Sequence, residues 1–320
     1  MISLETLQER IPAGATWKPL VEAMYSRNEW LMKPMLEMLD EGMLPAYLSD
    51  AARICGTLMA IRPIDVEQRV DEVVKGLQFH SIEFLKLQIQ FAKSGQYKSS
   101  DFEKVYEQVY AAGNVMQRYL DGLLLTYIAW PNHYKLLNYY RDKYLSEGPY
   151  GKCLEIGPGH GWLALEQLRA NPANALTALD ISPHSVQYTK DVLRASGIEP
   201  SRYDVRETNA QKGLDMDIAK FDRIVIAEVL EHLPDPAAVL KLLVGRAHRT
   251  TRFFITTVVN IEAPDHIHLF TTLQEVRDLL NACGLRVIDE LDLPLSMNLK
   301  LPKPAYEVAL ICAPSGLPIA

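Results

Sequence analysis

The run Cys153-Leu154-Glu155-Ile156-Gly157-Pro158-Gly159-His160-Gly161-Trp162 joins an apolar strand to a helix through three glycines in five residues. Glycines let a chain turn sharply and bring its backbone against a ligand where a Cβ would collide. The spacing is G-x-G-x-G, not G-x-G-x-x-G, which disfavours pyrophosphate at the helix N-terminus. It fits a loop that wraps the amino-acid end of a nucleoside ligand. Asp180 ends the next apolar run, where a carboxylate can accept from both hydroxyls of a ribose. Thr208-Asn209-Ala210 follows a third run. A fourth, Arg223–Ala227, leads into Glu228-Val229-Leu230-Glu231-His232. Beyond a fifth run comes Glu262-Ala263-Pro264-Asp265-His266-Ile267-His268. If that segment is extended after Pro264, His266 and His268 point to one side, because side chains alternate with period two. His232 would join them from the neighbouring strand end. Three imidazoles near carboxylates are a donor set for a divalent zinc, iron, cobalt or nickel ion. Glu231 reads equally as a solvated first-turn acid favoured by a helix dipole.

These residues need a scaffold that gathers strand ends, and the second half of the chain has the pattern for one. Strand-like runs at 152–156, 175–180, 203–206, 223–227, 252–258, 286–289 and 306–313 alternate with helical ones, the signature of βαβ units and a mainly parallel sheet. Ser182-Pro183 is an N-cap with proline in the first helical position. Thr272 and Glu275 form a capping box, with Gly284 as the matching C-cap. Residues 1–146 instead carry apolar residues at three- and four-residue intervals over 17–44, 66–91, 102–112, 115–129 and 132–145. The expected organisation is an all-helical region, 1–146, serving as a lid or dimerisation platform, followed by an α/β domain, 147–320.

The 320 residues are 48% apolar and 23% charged, the composition of a globular protein with a substantial core. A net charge of −7 argues against electrostatic attraction to nucleic acid or an anionic membrane surface. No apolar run reaches membrane-span length, and the first residues lack a signal-peptide core. Cys55, Cys153, Cys283 and Cys312 form no C-x-x-C pair. We therefore expect a reduced, cytoplasmic protein whose partner is a small molecule, with homodimerisation open to the helical region.

Taken together, the glycine turn, Asp180, Asn209-Ala210 and the Glu-Val-Leu-Glu-His-Leu-Pro-Asp-Pro segment resemble class I S-adenosylmethionine methyltransferases. The likeness is strongest to the ubiquinone-biosynthesis O-methyltransferase type and covers roughly residues 130–290. It implies a Rossmann-like seven-stranded domain in which Glu155, Gly157, Gly159 and Gly161 surround the methionine part of the cofactor. Asp180 and Ile181 would hold the ribose side, Asn209 and Ala210 would meet the adenine, and Glu228 would touch cofactor or acceptor. That family usually has Asp where this chain has Asn209, whose amide oxygen can still accept from an adenine amino group.

Methyl transfer requires an oriented acceptor and, for many acceptors, removal of a proton. His232, His266 and Glu228 are the catalytic candidates. Trp130, His133 and Tyr134, just ahead of the first strand, are expected at the acceptor wall, although such aromatics also simply pack halves together. Metal at His232, His266 and His268 would suit a 2-oxo acid, chelated and methylated at C3. This resembles metal-dependent 2-oxo-acid C-methyltransferases of natural-product precursor pathways. The competing expectations are O-methylation of a phenol or enol with a histidine base, and a cofactor-binding regulator without catalysis. The intact glycine loop and Asp180 speak against the regulator. The acidic Glu-Val-Leu-Glu-His segment speaks against nucleic-acid modification.

Overall fold

A computed structural model of the protein describes residues 2–94, 113–147, 151–263, 265–295 and 303–316. The helix expected over 102–112 lies outside the described residues. The first half contains α1 (Leu4–Arg10), α2 (Lys18–Arg27), α3 (Glu29–Met38), α4 (Leu44–Ala60), α5 (Val66–Ser94), α6 (Gly113–Ala129) and α7 (Pro131–Tyr139), which runs into a π-helical turn, Tyr140–Leu145. The periodic stretch 17–44 is interrupted at Asn28, which leaves helical geometry and donates its amide to the Met24 carbonyl. Local side-chain bonding of this kind competes with the helix ladder. It breaks again at Asp40, whose carboxylate accepts from the Met43 amide.

Helices α5 and α6 cross at glycines. A Cβ on Gly122 would lie 2.4 Å from the Gly76 carbonyl oxygen, and one on Gly76 would lie 2.7 Å from that of Arg118. Beside Gly122, at Asp121, a buried charge cluster holds the crossing. Arg69 donates to both oxygens of Asp121 at 2.7 and 2.8 Å, and the Tyr188 hydroxyl donates to Asp121 at 2.7 Å.

The second half forms one seven-stranded sheet in the order β3-β2-β1-β4-β5-β7-β6. Its strands are β1 (Lys152–Ile156), β2 (Ala175–Asp180), β3 (Tyr203–Glu207), β4 (Arg223–Ala227), β5 (Arg252–Val259), β6 (Leu285–Pro294) and β7 (Tyr306–Pro314). All neighbours are parallel except β7, which is antiparallel to both β5 and β6. Period-two alternation explains why the central strands read as unbroken apolar runs, since both faces are covered. Cys153, Val225 and Phe254 face one core, while Leu154, Ile224 and Phe253 face the other. The second face is covered by α10 (Pro236–Val244) and α11 (Leu273–Ala282). The first carries α8 (Trp162–Ala170) and α9 (Pro183–Ala195), and its apolar cluster continues into the N-terminal helices through Leu124, Ile128 and Tyr140. The two halves thus share one core.

Ser182 caps α9, and Thr272 with Glu275 forms the capping box of α11. Strand β6 extends to Pro294, well past the expected 289. It is an edge strand, so Glu290 and Asp292 can sit on it facing outward, where Arg277 pairs with both. Acidic residues there hid a strand from apolar patterning.

Candidate functional site

The sheet order reverses between β1 and β4, and ligands of open α/β sheets bind in the crevice beyond the strand ends at such a point. A cavity of about 220 Å³ lies there, roofed by α5, α6 and α7. At its β1 side Gly157, Gly159 and Gly161 all have positive φ, at 68°, 53° and 73°. A Cβ on Gly157 would lie 2.6 Å from Val229 Cγ2, and one on Gly161 2.9 Å from the Thr189 Cα. Gly157 and Gly159 line the cavity. Gly161, expected there too, does not, and its lack of a side chain lets the loop pack on α9.

Asp180 braces this loop, accepting from the Gly159 amide at 3.1 Å and the Ser182 amide at 2.8 Å. Glu155 is 2% exposed and accepts from Gln167 Nε2 at 2.7 Å, yet burial pushes its carboxyl up to about 8. Ile181, Asn209 and Ala210 line the same end. The Asn209 amide oxygen already accepts from the Gln211 amide at 2.9 Å, so one of its two lone pairs is engaged. His160, absent from the sequence expectations, also lines it. Its Nδ1 accepts from the Trp162 amide at 3.1 Å, which leaves the proton on Nε2. Burial holds this ring neutral, down to about 3.

Beyond β4, Glu228 sits at φ 51°, an uncommon geometry for a side chain larger than glycine. Its amide donates to the Thr256 carbonyl at 3.1 Å, and the Thr256 hydroxyl donates back to its carboxylate at 2.7 Å. Burial first, and then Glu231 beside it, push Glu228 up to about 8. Glu231 corrects the reading of a solvated helix-turn acid. It is fully buried, accepts from the Thr257 hydroxyl at 2.6 Å, and its carbonyl accepts from the amides of Ile267 and His268. The helical turn after β4 and the loop after β5 are thereby tied together.

His232 and His266 meet in the cavity with ring centroids 5.0 Å apart. Nδ1 of His232 is 2.8 Å from the Asp265 carbonyl, and Nδ1 of His266 is 3.0 Å from the Ile261 carbonyl. Carbonyls only accept, so each Nδ1 carries the proton and each Nε2 keeps a lone pair. Glu231, His232 and His266 each place a ligand atom within 4.8 Å of the others. Two imidazole nitrogens and a carboxylate fit a zinc or iron site. His268 does not join them. The consecutive amides of Ile267 and His268 both donate to the Glu231 carbonyl, so the chain is not extended there, period-two alternation fails, and His268 packs on Phe270, ring centroids 4.6 Å apart.

Of the expected wall residues, Trp130 and His133 line the cavity. Tyr134 lies outside it, buried edge-to-face against Tyr47. His133 and Leu136 share one stripe of α7, and Tyr134 is about 100° around the helix. The rest of the roof comes from His80 and Phe84 on α5 and from Met116, Tyr119, Leu120, Leu123 and Tyr127 on α6. Their three- and four-residue spacing was legible, but it is indistinguishable from that of core residues. Glu307 also lines the cavity. It is an acid inside the apolar strand β7, and that contrast was the available signal.

Residues 154–251 match the family model of the methyltransferase domain. The chain carries a class I S-adenosylmethionine-dependent methyltransferase domain. The ubiquinone biosynthesis O-methyltransferase of Actinobacillus pleuropneumoniae serotype 5b is 25% identical over 174 residues, covering 47% of this chain and 72% of the relative. That of Xylella fastidiosa strain 9a5c is 32% identical over 123 residues, covering 35% of this chain and 48% of the relative. The chain thus spans about half the length of the Xylella relative. Among solved structures, the N-methyltransferase NodS from Bradyrhizobium japonicum, in complex with S-adenosyl-L-homocysteine, aligns at 16% identity and TM-score 0.48, covering 66% of this chain and 98% of NodS. No described helix is long and apolar enough to cross a membrane.

Proposed function

We propose that the protein transfers a methyl group to the hydroxyl of a small phenolic or enolic acceptor, with His232 as general base. Bound S-adenosylmethionine supplies an electrophilic methyl on a sulfonium, which becomes a neutral thioether on transfer. Glu155 receives the ammonium of the cofactor, Gly157 and Gly159 let it approach the backbone, and His160 Nε2–H donates to its carboxylate. Asp180 accepts from the ribose hydroxyls beside Ile181, and Asn209 and Ala210 face the adenine. His232 takes the hydroxyl proton on Nε2, with the Asp265 carbonyl holding the ring in the correct tautomer. Glu228 and His266 border the acceptor.

The observation that carries this reading is the His232 ring, anchored at Nδ1 and basic at Nε2 within the cavity. The O-methyltransferase relatives point the same way. The test is methyl transfer to a panel of phenols and enols, with and without chelator, in wild type and His232→Gln. Chelator-insensitive transfer that collapses in the variant supports the base. Retained transfer in the variant overturns it.

A second reading is favoured by the mutual approach of Glu231, His232 and His266. Those three would hold a divalent zinc or iron ion, a Lewis acid suited to a chelated 2-oxo acid methylated at C3. Stoichiometric metal in tag-free protein, lost in His266→Ala, together with methylation of 2-oxo acids, would put this reading first.

A further inference from the structure

The cavity wall is lopsided in charge. Glu155, Asp180, Glu228, Glu231, Asp265 and Glu307 line it, and no Lys or Arg does among the described residues. Glu155 and Asp180 face the cofactor end, and Glu228, Glu231 and Asp265 belong to the hydrogen-bonded loops after β4 and β5. Glu307 belongs to neither group. It projects from β7 opposite Val258 and is 4% exposed. Its Oε2 has no hydrogen-bond partner among the described residues.

The neighbours of Glu307 do not supply what a carboxylate needs. His133 Nε2 is 3.7 Å from Glu307 Oε1. The Thr126 hydroxyl donates to the Leu123 carbonyl, so its oxygen accepts from His133 Nδ1 at 2.6 Å. At 3.7 Å His133 Nε2 is beyond hydrogen-bond reach and does not satisfy the Glu307 carboxyl. Burial also keeps His133 neutral, down to about 3, so it brings no charge. Burial raises the Glu307 carboxyl well above its usual range. An acid this deep, without a donor, is costly unless a ligand completes it.

The surroundings indicate what kind of ligand does so. Trp130 lies against His133 at 4.9 Å and against His80 and Phe84 at 5.3 Å, and its Nε1 has no hydrogen-bond partner among the described residues. A carboxyl beside aromatic rings, with no fixed cation in the wall, is complementary to a cation and hostile to an anion.

We propose that Glu307 docks the methyl acceptor and that the acceptor it selects carries a basic nitrogen. The ammonium donates to the Glu307 carboxylate and rests against the Trp130 and His133 rings. This rests on the reading that the same cavity takes the methyl acceptor, and it narrows that acceptor to an amine-bearing molecule.

The test is calorimetric binding of phenethylamine, 2-phenylethanol and phenylacetate to the protein loaded with S-adenosylhomocysteine. Phenethylamine should bind about tenfold or more tighter than the alcohol, and phenylacetate weakest. Glu307→Gln should erase the amine preference while S-adenosylhomocysteine binding persists, and Glu307→Asp should retain part of it. Equal binding of the three probes, no binding of the amine, or a preference unchanged in Glu307→Gln overturns the proposal. So does a loss of S-adenosylmethionine affinity in that variant without loss of amine affinity, which would place Glu307 on the cofactor. If instead the amine preference holds but no phenol is methylated, the O-methylation reading falls and Glu307 keeps its role.

Discussion

The two ends of the cavity are built from different materials. At the cofactor end, main chain predominates: Gly157 and Gly159 present bare backbone, Asp180 is spent partly on bracing two amides, and adjacent loops supply the rest. At the acceptor end, side chains from α5, α6, α7, β7 and the loops after β4 and β5 converge from positions as far apart as His80 and Glu307. Backbone sites suit a ligand that never changes. Side-chain sites can be exchanged residue by residue without disturbing the sheet, which suits the proposed division in which the first end holds the cofactor and the second selects the acceptor.

The sharpest way to break this division is to attack what holds the roof. Asp121→Ala leaves the Arg69 guanidinium buried without its carboxylate, and should lower stability by about 3–5 kcal/mol in denaturant unfolding. A loss under 1 kcal/mol would mean that the crossing of α5 and α6 does not depend on this pair. His232→Gln should lower kcat by about 10²–10⁴-fold and leave cofactor affinity intact. If cofactor affinity falls with it, the two ends are not separable. Gly157→Ala meets Val229 Cγ2 at 2.6 Å in a left-handed conformation, and should weaken S-adenosylhomocysteine binding by about tenfold or more. Adding Val229→Ala should recover part of that loss.

Glu155 gives a pH test confined to the cofactor end. In the free protein its carboxyl is raised to about 8, so at neutral pH it is largely protonated. Receiving a cationic ammonium requires the ionised form, so binding releases a proton. Cofactor affinity should therefore rise from pH 6 toward 8 and level off above, and Glu155→Gln should flatten the slope. The smallest effect belongs to the roof. Trp130→Phe should raise the acceptor KM a few-fold, about 1 kcal/mol, with S-adenosylhomocysteine binding unchanged.

The same division explains what could be read from residue order alone. Glu155, Asp180, Gly157 and Gly159 lie at or just beyond strand ends in local motifs, where spacing alone points to the cavity that they line. The seven strands followed from alternating periodicity, apart from the acidic second half of β6. The acceptor end depends on tertiary packing. His80, Tyr119 and Tyr127 lie on helical stripes that look like core, and nothing local distinguishes a stripe facing a cavity from one facing a neighbour. Tyr134 shows the converse error, an aromatic near the site turned away by one step of the helix. His268 failed because two consecutive amides, of Ile267 and His268, bond one carbonyl, which an extended chain cannot do.

The glycine crossing of α5 and α6 also bears on how this pocket could acquire a new acceptor. With a Cβ at Gly122 meeting the Gly76 carbonyl at 2.4 Å, the two helices have no slack to close, and substitution at either glycine would drive them apart rather than reshape the roof. Routes to altered acceptor range therefore run through the replaceable side chains of the roof, such as Met116, Leu120 and Leu123. A library at those positions samples pocket volume on a frame that stays put, whereas one that includes the glycines mostly samples broken frames.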